Sequence, residues 1–299
     1  EGKDRVPLLG ELNTRVVRQA VSGEAPPLRE PADVPPRPPN LCAGCPHRSL
    51  FFALNKCKVT VTGDIGCYTL SALPPLKSMD TCVCMGASIG NALGIEKALG
   101  PTARGKVVAV IGDSTFVHSG ITGLIDIVYN RGFSTVIILD NGTTAMTGAQ
   151  DHPGTGKTLQ AQPTHRLDLE ALCRAVGVEH VYTVNPHDQA ATEARLRREL
   201  ARDAPSVIIA RAPCVLLPEH RAENRPAFEV VAELCNGCKA CGKLGCPAIE
   251  WIPLTPEEAV AAGKKATQKG IVRINRLLCD GCNLCPDVCK MRGIVEVGT

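Results

Sequence analysis

The sequence has 299 residues, of which 44% are hydrophobic and 21% charged, and its net charge is +3. This composition is typical of a folded protein of one large or two ordinary domains, and the small net charge argues against nucleic acid or a membrane surface as a partner. Aromatic residues make up only 3%, too few for the stacking platforms of single-strand nucleic-acid binders. No apolar run approaches the roughly 20 residues of a membrane span.

Residues 1–40 are predicted to be a linker. Their last sixteen residues read APPLREPADVPPRPPN and include seven prolines. Because proline fixes φ and lacks an N–H group, such a run fits neither a helix interior nor a central strand, and it is typical of a semi-rigid spacer.

The next part of the chain, 41–225, alternates between two kinds of segment. Five short, nearly continuous apolar runs are typical of strands buried on both faces; they are 58–63, 106–112, 134–140, 180–184 and 206–211. Three segments carry apolar residues at helical spacing, namely 86–100, 118–132 and 187–203. The alternation predicts an α/β domain with a mostly parallel sheet.

A second, small domain is predicted at 226–299, because two cysteine clusters lie there about 40 residues apart. Three cysteines at x2 spacing with a more distant fourth are typical of iron–sulfur ligands, and zinc, which also favours CxxC pairs, is the alternative. The chain has sixteen cysteines and no signal sequence. We therefore expect a reduced, cytoplasmic location, where thiols usually serve metal or redox chemistry.

This tail resembles the bacterial-type ferredoxins with two 4Fe–4S clusters, in which the fourth cysteine of each run binds the other cluster. It departs from them by an extra residue before Cys246 and by a proline after Cys285 instead of after Cys289. The resemblance implies two ligand sets, which are Cys235, Cys238, Cys241 with Cys289, and Cys279, Cys282, Cys285 with Cys246.

Polar residues follow two neighbouring predicted strands of the α/β domain. Gly112-Asp113-Ser114 leads from the strand at 106–112 into a helix, and Asn141-Gly142-Thr143 follows the strand at 134–140. A carboxylate, an amide and a carbonyl oxygen can hold Mg²⁺, and a helix N-terminus can bind a diphosphate. Helix capping by strand-end Asp and Asn is the alternative.

With 27 residues between them, Asp113 and Asn141 resemble the GDG…N signature of thiamine diphosphate enzymes, although Ser114 replaces the second glycine. Further motifs extend the match over nearly the whole chain; they are LCAGCPHRSLFFAL (41–54), GDIGCYTL (63–70), DTCVCMGASIGNALG (80–94), NGTTAMTGAQDHPGTG (141–156) and RAPCVLL (211–217). Together they resemble the 2-oxoacid:ferredoxin oxidoreductase superfamily. Within it, the residues of these motifs are most similar to those of the large subunits of indolepyruvate:ferredoxin oxidoreductases.

The resemblance implies two further features of the site. Asp113, Asn141 and the Thr143 carbonyl would hold Mg²⁺ and the diphosphate of thiamine. The implied cofactor-binding residues are Gly66, Cys67, Gly112, Asp113, Ser114, Asn141 and Thr143. A third 4Fe–4S cluster, beside the thiamine, would be held by Cys42, Cys45, Cys67 and Cys214, for which zinc or buried thiols are the alternatives.

Two histidines, His47 and His118, lie in or beside matching motifs and are candidates to contact substrate or diphosphate. Either could equally be a structural histidine near a strand end.

The activity implied by the resemblance is oxidative decarboxylation of an arylpyruvate to acyl-CoA and CO₂, with electrons passed through clusters to ferredoxin. Implied partners are coenzyme A, the 2-oxoacid, ferredoxin and a small gamma-type subunit. The glutamate that activates thiamine is expected in an N-terminal pyrimidine-binding half or in another chain, because this sequence contains no such domain.

Three alternatives stay open from the sequence. One is a sibling enzyme for another 2-oxoacid such as phenylglyoxylate, pyruvate or 2-oxoglutarate. The others are an iron–sulfur electron-transfer subunit without thiamine and a zinc-stabilised interaction module.

Overall fold

The computed structural model of the chain describes residues 2–25, 27, 33–34, 36, 38–223 and 225–298. The chain divides into two units, 1–38 and 39–299. The first unit contains helix α1 (Thr14–Ser22), which the linker prediction missed. Asn13 caps this helix by accepting from the backbone N–H groups of its first turn, and Gly23 ends it in the left-handed conformation. Half of the proline-rich segment lies outside the described residues, so the linker stays a prediction there.

A six-stranded parallel sheet forms the centre of the second unit, as the sequence predicts. Its strands are β1 (Thr60–Gly63), β2 (Thr81–Cys82), β3 (Val107–Gly112), β4 (Thr135–Asp140), β5 (His180–Val184) and β6 (Ser206–Arg211). In space they run in the order β2-β1-β3-β4-β6-β5, and every neighbouring pair is parallel. All residues of β3 and β4 are buried, which explains why their sequences are continuously apolar.

Helices cover both faces of the sheet. They are α2 (Pro46–Cys57), α3 (Ala87–Leu99), α4 (Asp113–Thr115), α5 (Ile121–Tyr129), α6 (Leu169–Ala175), α7 (Gln189–Leu200) and α8 (Pro218–Ala222). Along β4, Ile137 and Leu139 pack in one core cluster with residues of α2 and α7. Val136 and Ile138 pack in a second cluster with residues of α3, α5 and α6. Successive strand residues therefore serve opposite layers, as the period of two requires.

The cysteine-rich tail contains two antiparallel strand pairs and two short helices. Its elements are β7 (Phe228–Val230), β8 (Ile249–Pro253), α9 (Pro256–Ala261), β9 (Gly270–Ile274), α10 (Leu284–Val288) and β10 (Ile294–Glu296). Strand β7 pairs with β10 and β8 pairs with β9, around a third core cluster of their own. Residues 39–299 form one unit, so the predicted boundary near residue 225 stays a prediction.

None of the helices in the described part of the chain has the length and apolar character that crossing a bilayer requires.

Asp64 fixes the loop that follows β1. This fully buried carboxylate accepts hydrogen bonds from the backbone N–H groups of Ile65 (2.8 Å), Gly86 (2.9 Å) and Ser88 (3.1 Å). It thereby joins the end of β1 to the N-terminus of α3. The loop between 64 and 70 leads directly into the cofactor pocket described below.

We expect Asp64→Ala to lower the free energy of unfolding by about 3 kcal/mol, because three backbone N–H groups lose the buried carboxylate that accepts from them, at about 1 kcal/mol each. Asp80→Ala is the matched control, since this exposed carboxylate accepts from one backbone group, Val61 N, at 2.7 Å. It should cost about 1 kcal/mol. Urea unfolding of both variants measures the difference, and equal losses would contradict the anchoring role of Asp64.

Candidate cofactor pocket and cysteine-lined cavities

A pocket of about 580 Å³ lies at the carboxyl ends of β3 and β4. This is the edge of a parallel sheet at which α/β proteins bind ligands. All seven of the predicted cofactor-binding residues line it, together with His47; they are Gly66, Cys67, Gly112, Asp113, Ser114, Asn141 and Thr143. The structure thus brings together residues from three separate sequence motifs.

Asp113 organises the floor of this pocket through backbone hydrogen bonds. Its Oδ2 accepts from the N–H groups of Asn141 (3.1 Å) and Gly142 (3.0 Å), and its Oδ1 accepts from Ser114 N–H (2.7 Å). Asn141 Oδ1 in turn accepts from Thr143 N–H at 3.2 Å. The loop after β4 is therefore held against the end of β3, and the three residues predicted to bind Mg²⁺ are joined in one hydrogen-bond network.

Tyr68 forms the pocket wall and gives Gly66 and Gly112 a structural role. Its hydroxyl accepts from Gly112 N–H and donates to Ile65 C=O, both at 3.0 Å. A Cβ atom would lie 2.4 Å from the Tyr68 ring at Gly66 and 3.0 Å from it at Gly112. The resemblance implies that both glycines bind the cofactor. In the structure both line the pocket, and each also makes room for the Tyr68 ring.

His47 lies buried in the first turn of α2 and contacts the same network. Its Nε2 is 3.4 Å from Asn141 Nδ2, and its ring meets the Tyr68 ring edge-on, with centroids 5.8 Å apart. Burial lowers the pKa of His47 to about 4, although the negative charge of Asp113 opposes this shift. The ring is therefore neutral near pH 7 and accepts the Asn141 amide hydrogen at Nε2.

His118 is not brought to this pocket. It is exposed within a π-helical turn, Phe116–Gly120, where its Nδ1 lies 3.0 Å from Ser119 Oγ. His152, which the sequence analysis did not single out, is the second histidine of the site. Its buried Nε2 lies 3.3 Å from Asp113 Oδ2 without the alignment of a hydrogen bond, and its Nδ1 accepts from Gly154 N–H at 3.2 Å.

Twelve cysteines line three cavities. The proximal cavity is lined by Cys42, Cys45, Cys67 and Cys214. The inner tail cavity is lined by Cys246, Cys279, Cys282 and Cys285, together with Cys45 of the proximal cavity. The outer tail cavity is lined by Cys235, Cys238, Cys241 and Cys289. Apart from the second appearance of Cys45, these groups have the same members as the three sets that the resemblance implies.

The cavities and the pocket share residues. Cys67, His47 and Asn141 line both the cofactor pocket and the proximal cavity. Cys45 lines both the proximal and the inner tail cavity. All sixteen cysteines are free thiols, and among the described residues no three His, Cys, Asp or Glu side chains are placed to hold one metal ion. The remaining cysteines, Cys57, Cys82, Cys84 and Cys173, line none of these three cavities.

Comparison with known protein families places a cofactor domain over this region. Residues 64–210 match the model for the thiamine pyrophosphate enzyme C-terminal TPP binding domain. This match includes Asp113, Asn141 and the four strands β3 to β6.

Curated relatives match nearly the whole chain. Over 99% of its length the chain is 38% identical to the indolepyruvate oxidoreductase subunit IorA of Pyrococcus abyssi and 40% identical to that of Pyrococcus horikoshii. Each alignment covers 48% of the relative, so the chain spans about half the length of these proteins. Over 88% of its length it is 39% identical to IorA of Archaeoglobus fulgidus.

A solved structure shares the fold. The chain is similar to a 2-oxoglutarate:ferredoxin oxidoreductase from Magnetococcus marinus with a TM-score of 0.51, over 60% of this chain and 65% of the other. The sequence identity is 16%, so this likeness is one of fold.

Tyr68→Phe should lower the free energy of unfolding by about 1–2 kcal/mol, because the buried Gly112 N–H loses its acceptor, whereas Ile65 C=O keeps a hydrogen bond from Thr115 Oγ1 at 3.3 Å. Tyr129→Phe, which removes the same hydroxyl from a side chain that is 82% exposed, should leave stability unchanged. Thermal and urea unfolding of the two variants measure the effect. If they proved equally stable, Tyr68 would not be the support of the pocket wall.

Proposed function

Because the chain belongs to the 2-oxoacid oxidoreductase family that includes the indolepyruvate oxidoreductase subunit IorA, we propose that it is the thiamine- and cluster-binding part of an arylpyruvate:ferredoxin oxidoreductase. The enzyme oxidatively decarboxylates an indolepyruvate-like 2-oxoacid to an acyl-CoA and CO₂. One observation carries the proposal. The pocket that contains Asp113 and Asn141 shares Cys67 with a cavity lined by four cysteines, and that cavity shares Cys45 with the next.

The residues of the pocket fit Mg²⁺ and a diphosphate. Asp113, Asn141 and the Thr143 carbonyl offer the hard oxygen donors that Mg²⁺ prefers, and the backbone network keeps them in register before any ligand binds. When bound, thiamine diphosphate supplies the electron sink for decarboxylation. His47 orients Asn141 by accepting its amide hydrogen. Tyr68 forms the pocket wall beside these two residues.

The residues of the three cavities fit iron–sulfur clusters. Each cavity can be assigned four thiols of its own, with Cys45 counted to the proximal one, and four is the complement that a 4Fe–4S cluster needs. Burial raises the pKa of Cys45 to about 12 and that of Cys241 to about 11. These thiols therefore ionise only against a strong positive charge, and a bound metal ion supplies one. In this assignment the tail is a two-cluster ferredoxin domain and the proximal cavity holds the third cluster.

The other components of the reaction lie partly outside this chain. The chain spans about half the length of its IorA relatives, so we assign the thiamine-activating glutamate to a pyrimidine-binding half or to a partner chain. The word subunit in the relatives' name supports a second, gamma-type subunit. Ferredoxin is the proposed electron acceptor and coenzyme A the acyl acceptor.

We expect Asp113→Ala to weaken binding of thiamine diphosphate with Mg²⁺ by about 10- to 100-fold, because the loss of a charged ligand group costs about 1.5–3 kcal/mol and the loop after β4 loses its anchor. Asp151→Ala, which removes an exposed carboxylate from the same loop region, should bind as the unaltered chain does. Isothermal titration calorimetry measures both, with a melting curve to confirm that each variant is folded. Unchanged affinity in folded Asp113→Ala would favour an electron-transfer subunit without thiamine.

Anaerobically purified protein should contain about twelve irons and about twelve acid-labile sulfides per chain, since each 4Fe–4S cluster contributes four of each. Cys214→Ser should reduce both to about eight, whereas Cys84→Ser, at an exposed cysteine outside the three cavities, should leave them at about twelve. About eight irons in the unaltered chain would refute the proximal cluster. Zinc without sulfide would refute all three.

A further inference from the structure

We propose that Arg48 is the buried counter-charge shared by the proximal and the inner tail cavity, and that it raises the reduction potentials of the clusters held there. The inference rests on the proposed function, because it requires that both cavities hold iron–sulfur clusters. Arg48 lies in the first turn of α2, and its side chain is only 2% exposed.

The hydrogen bonds of Arg48 join the two groups of ligand loops. Its Nη1 donates to Leu244 C=O at 2.7 Å, two residues before Cys246. Its Nη2 donates to Leu41 C=O and, at 3.3 Å, to Cys42 C=O. The same guanidinium therefore donates to the carbonyl of Cys42, a cysteine of the proximal cavity, and to a carbonyl two residues before Cys246, a cysteine of the inner tail cavity.

The acceptors leave the positive charge of Arg48 uncompensated. Among the described residues, each one it bonds is a backbone carbonyl or the amide oxygen of Asn40, and all are neutral. Its Nε is buried with no hydrogen-bond partner. Burying an isolated cation costs several kcal/mol of stability unless an anion lies nearby. A nearby negative charge is therefore needed to stabilise Arg48 at this position.

Cysteines of both cavities supply that charge when they are ionised. The guanidinium bonds the carbonyl groups of Leu41 and Cys42, which line the proximal cavity, and that of Leu244, which lines the inner tail cavity. Arg48 itself lines the inner tail cavity beside Cys45. Four thiolates around each cluster make the site anionic. The Nε–H of Arg48, which has no acceptor among the described residues, is available to donate a hydrogen bond to a cluster sulfur.

The ligand loops around Arg48 are packed closely against their surroundings. A Cβ at Gly44 would lie 2.1 Å from Asp280 Oδ2, and one at Gly245 would lie 3.3 Å from Arg48 Nη1. The ligand loop of the proximal cavity therefore contacts that of the inner tail cavity directly. A charge fixed at this junction acts on both cavities together, whereas Arg48 is not among the residues that line the outer tail cavity.

The electrostatic consequence follows from the sign of the charge. Reduction adds an electron to a site that is already negative, and a fixed cation stabilises the reduced form more than the oxidised form. Cluster potentials respond to net charge and to hydrogen bonds at sulfur. Loss of the charge should therefore lower the potentials of the two neighbouring clusters and leave the cluster of the outer tail cavity unchanged.

The test is a redox titration of the full chain, purified anaerobically and followed by electron paramagnetic resonance. Arg48→Gln keeps a hydrogen-bonding side chain but removes the charge, and it should shift the reduction equilibrium of two clusters about tenfold, or about 59 mV downward. Arg48→Lys keeps the charge and should stay near the unaltered potentials. Arg174→Gln is the matched control, because Arg174 also donates to two backbone carbonyls, at 3.0 and 2.9 Å, but faces none of the three cavities.

The outcomes separate this inference from the proposed function. An unaltered chain without iron contradicts the proposed function itself. Full iron in Arg48→Gln with unshifted potentials overturns the inference alone. If Arg48→Gln loses iron, Arg48→Lys decides: retention of iron and of both potentials shows that the charge is required, and a similar loss of iron shows that only the shape of the guanidinium matters, which overturns the inference.

Discussion

The burial of α2 against the parallel sheet is the constraint on which the rest of the site depends. Leu50, Phe51 and Leu54 are fully buried in the core cluster on one face of the sheet, and this burial fixes both the position and the rotation of the helix. Because successive helical residues are about 100° apart, the first turn then points its side chains in separate directions. His47 faces the cofactor pocket, while Arg48 faces the cysteine-rich tail.

The oxygen site and the thiol sites are prepared in different ways. The Asp113 carboxylate accepts hydrogen bonds from three backbone N–H groups, so the protein itself holds its oxygens in position. Burial instead raises the pKa of the Cys45 thiol to about 12, although backbone N–H groups of His47 and Arg48 oppose this shift. Metal binding to thiols of this kind releases protons and contributes directly to folding. We therefore expect the tail to depend on its clusters for stability more than the sheet depends on its cofactor.

Features encoded locally could be predicted from the sequence, and features made by distant contacts could not. The five apolar runs became strands within two residues of their predicted bounds because a strand buried on both faces needs a continuous apolar sequence. Strand β2 has only two residues and no apolar run, so nothing in its sequence marks it. Three cysteines of each tail set lie at short spacings, but the crossed fourth cysteine came from the ferredoxin resemblance. The proximal set joins Cys42 to Cys214 and was likewise accessible only through family resemblance.

The two histidine predictions show the same limit. His47 and His118 were chosen for lying near motifs, but only His47 faces the pocket, because α2 is rotated by its core contacts. His118 falls in a π-helical turn, whose wider spacing departs from the regular helical period. His152 reaches Asp113 only because the loop after β4 folds back over the end of β3, and no periodicity in the sequence marks that loop.

Shared residues, rather than flexible linkers, keep the four candidate sites next to one another. Cys67 belongs to both the pocket and the proximal cavity, and Cys45 to both the proximal and the inner tail cavity. The two tail cavities are interleaved, since each cysteine run gives three residues to one and its fourth to the other. A displacement of any one site therefore moves a wall of its neighbour. In the proposed enzyme this arrangement fixes the spacing of successive electron-transfer steps by packing, and it explains why one buried cation between two ligand loops can influence both of the clusters beside it.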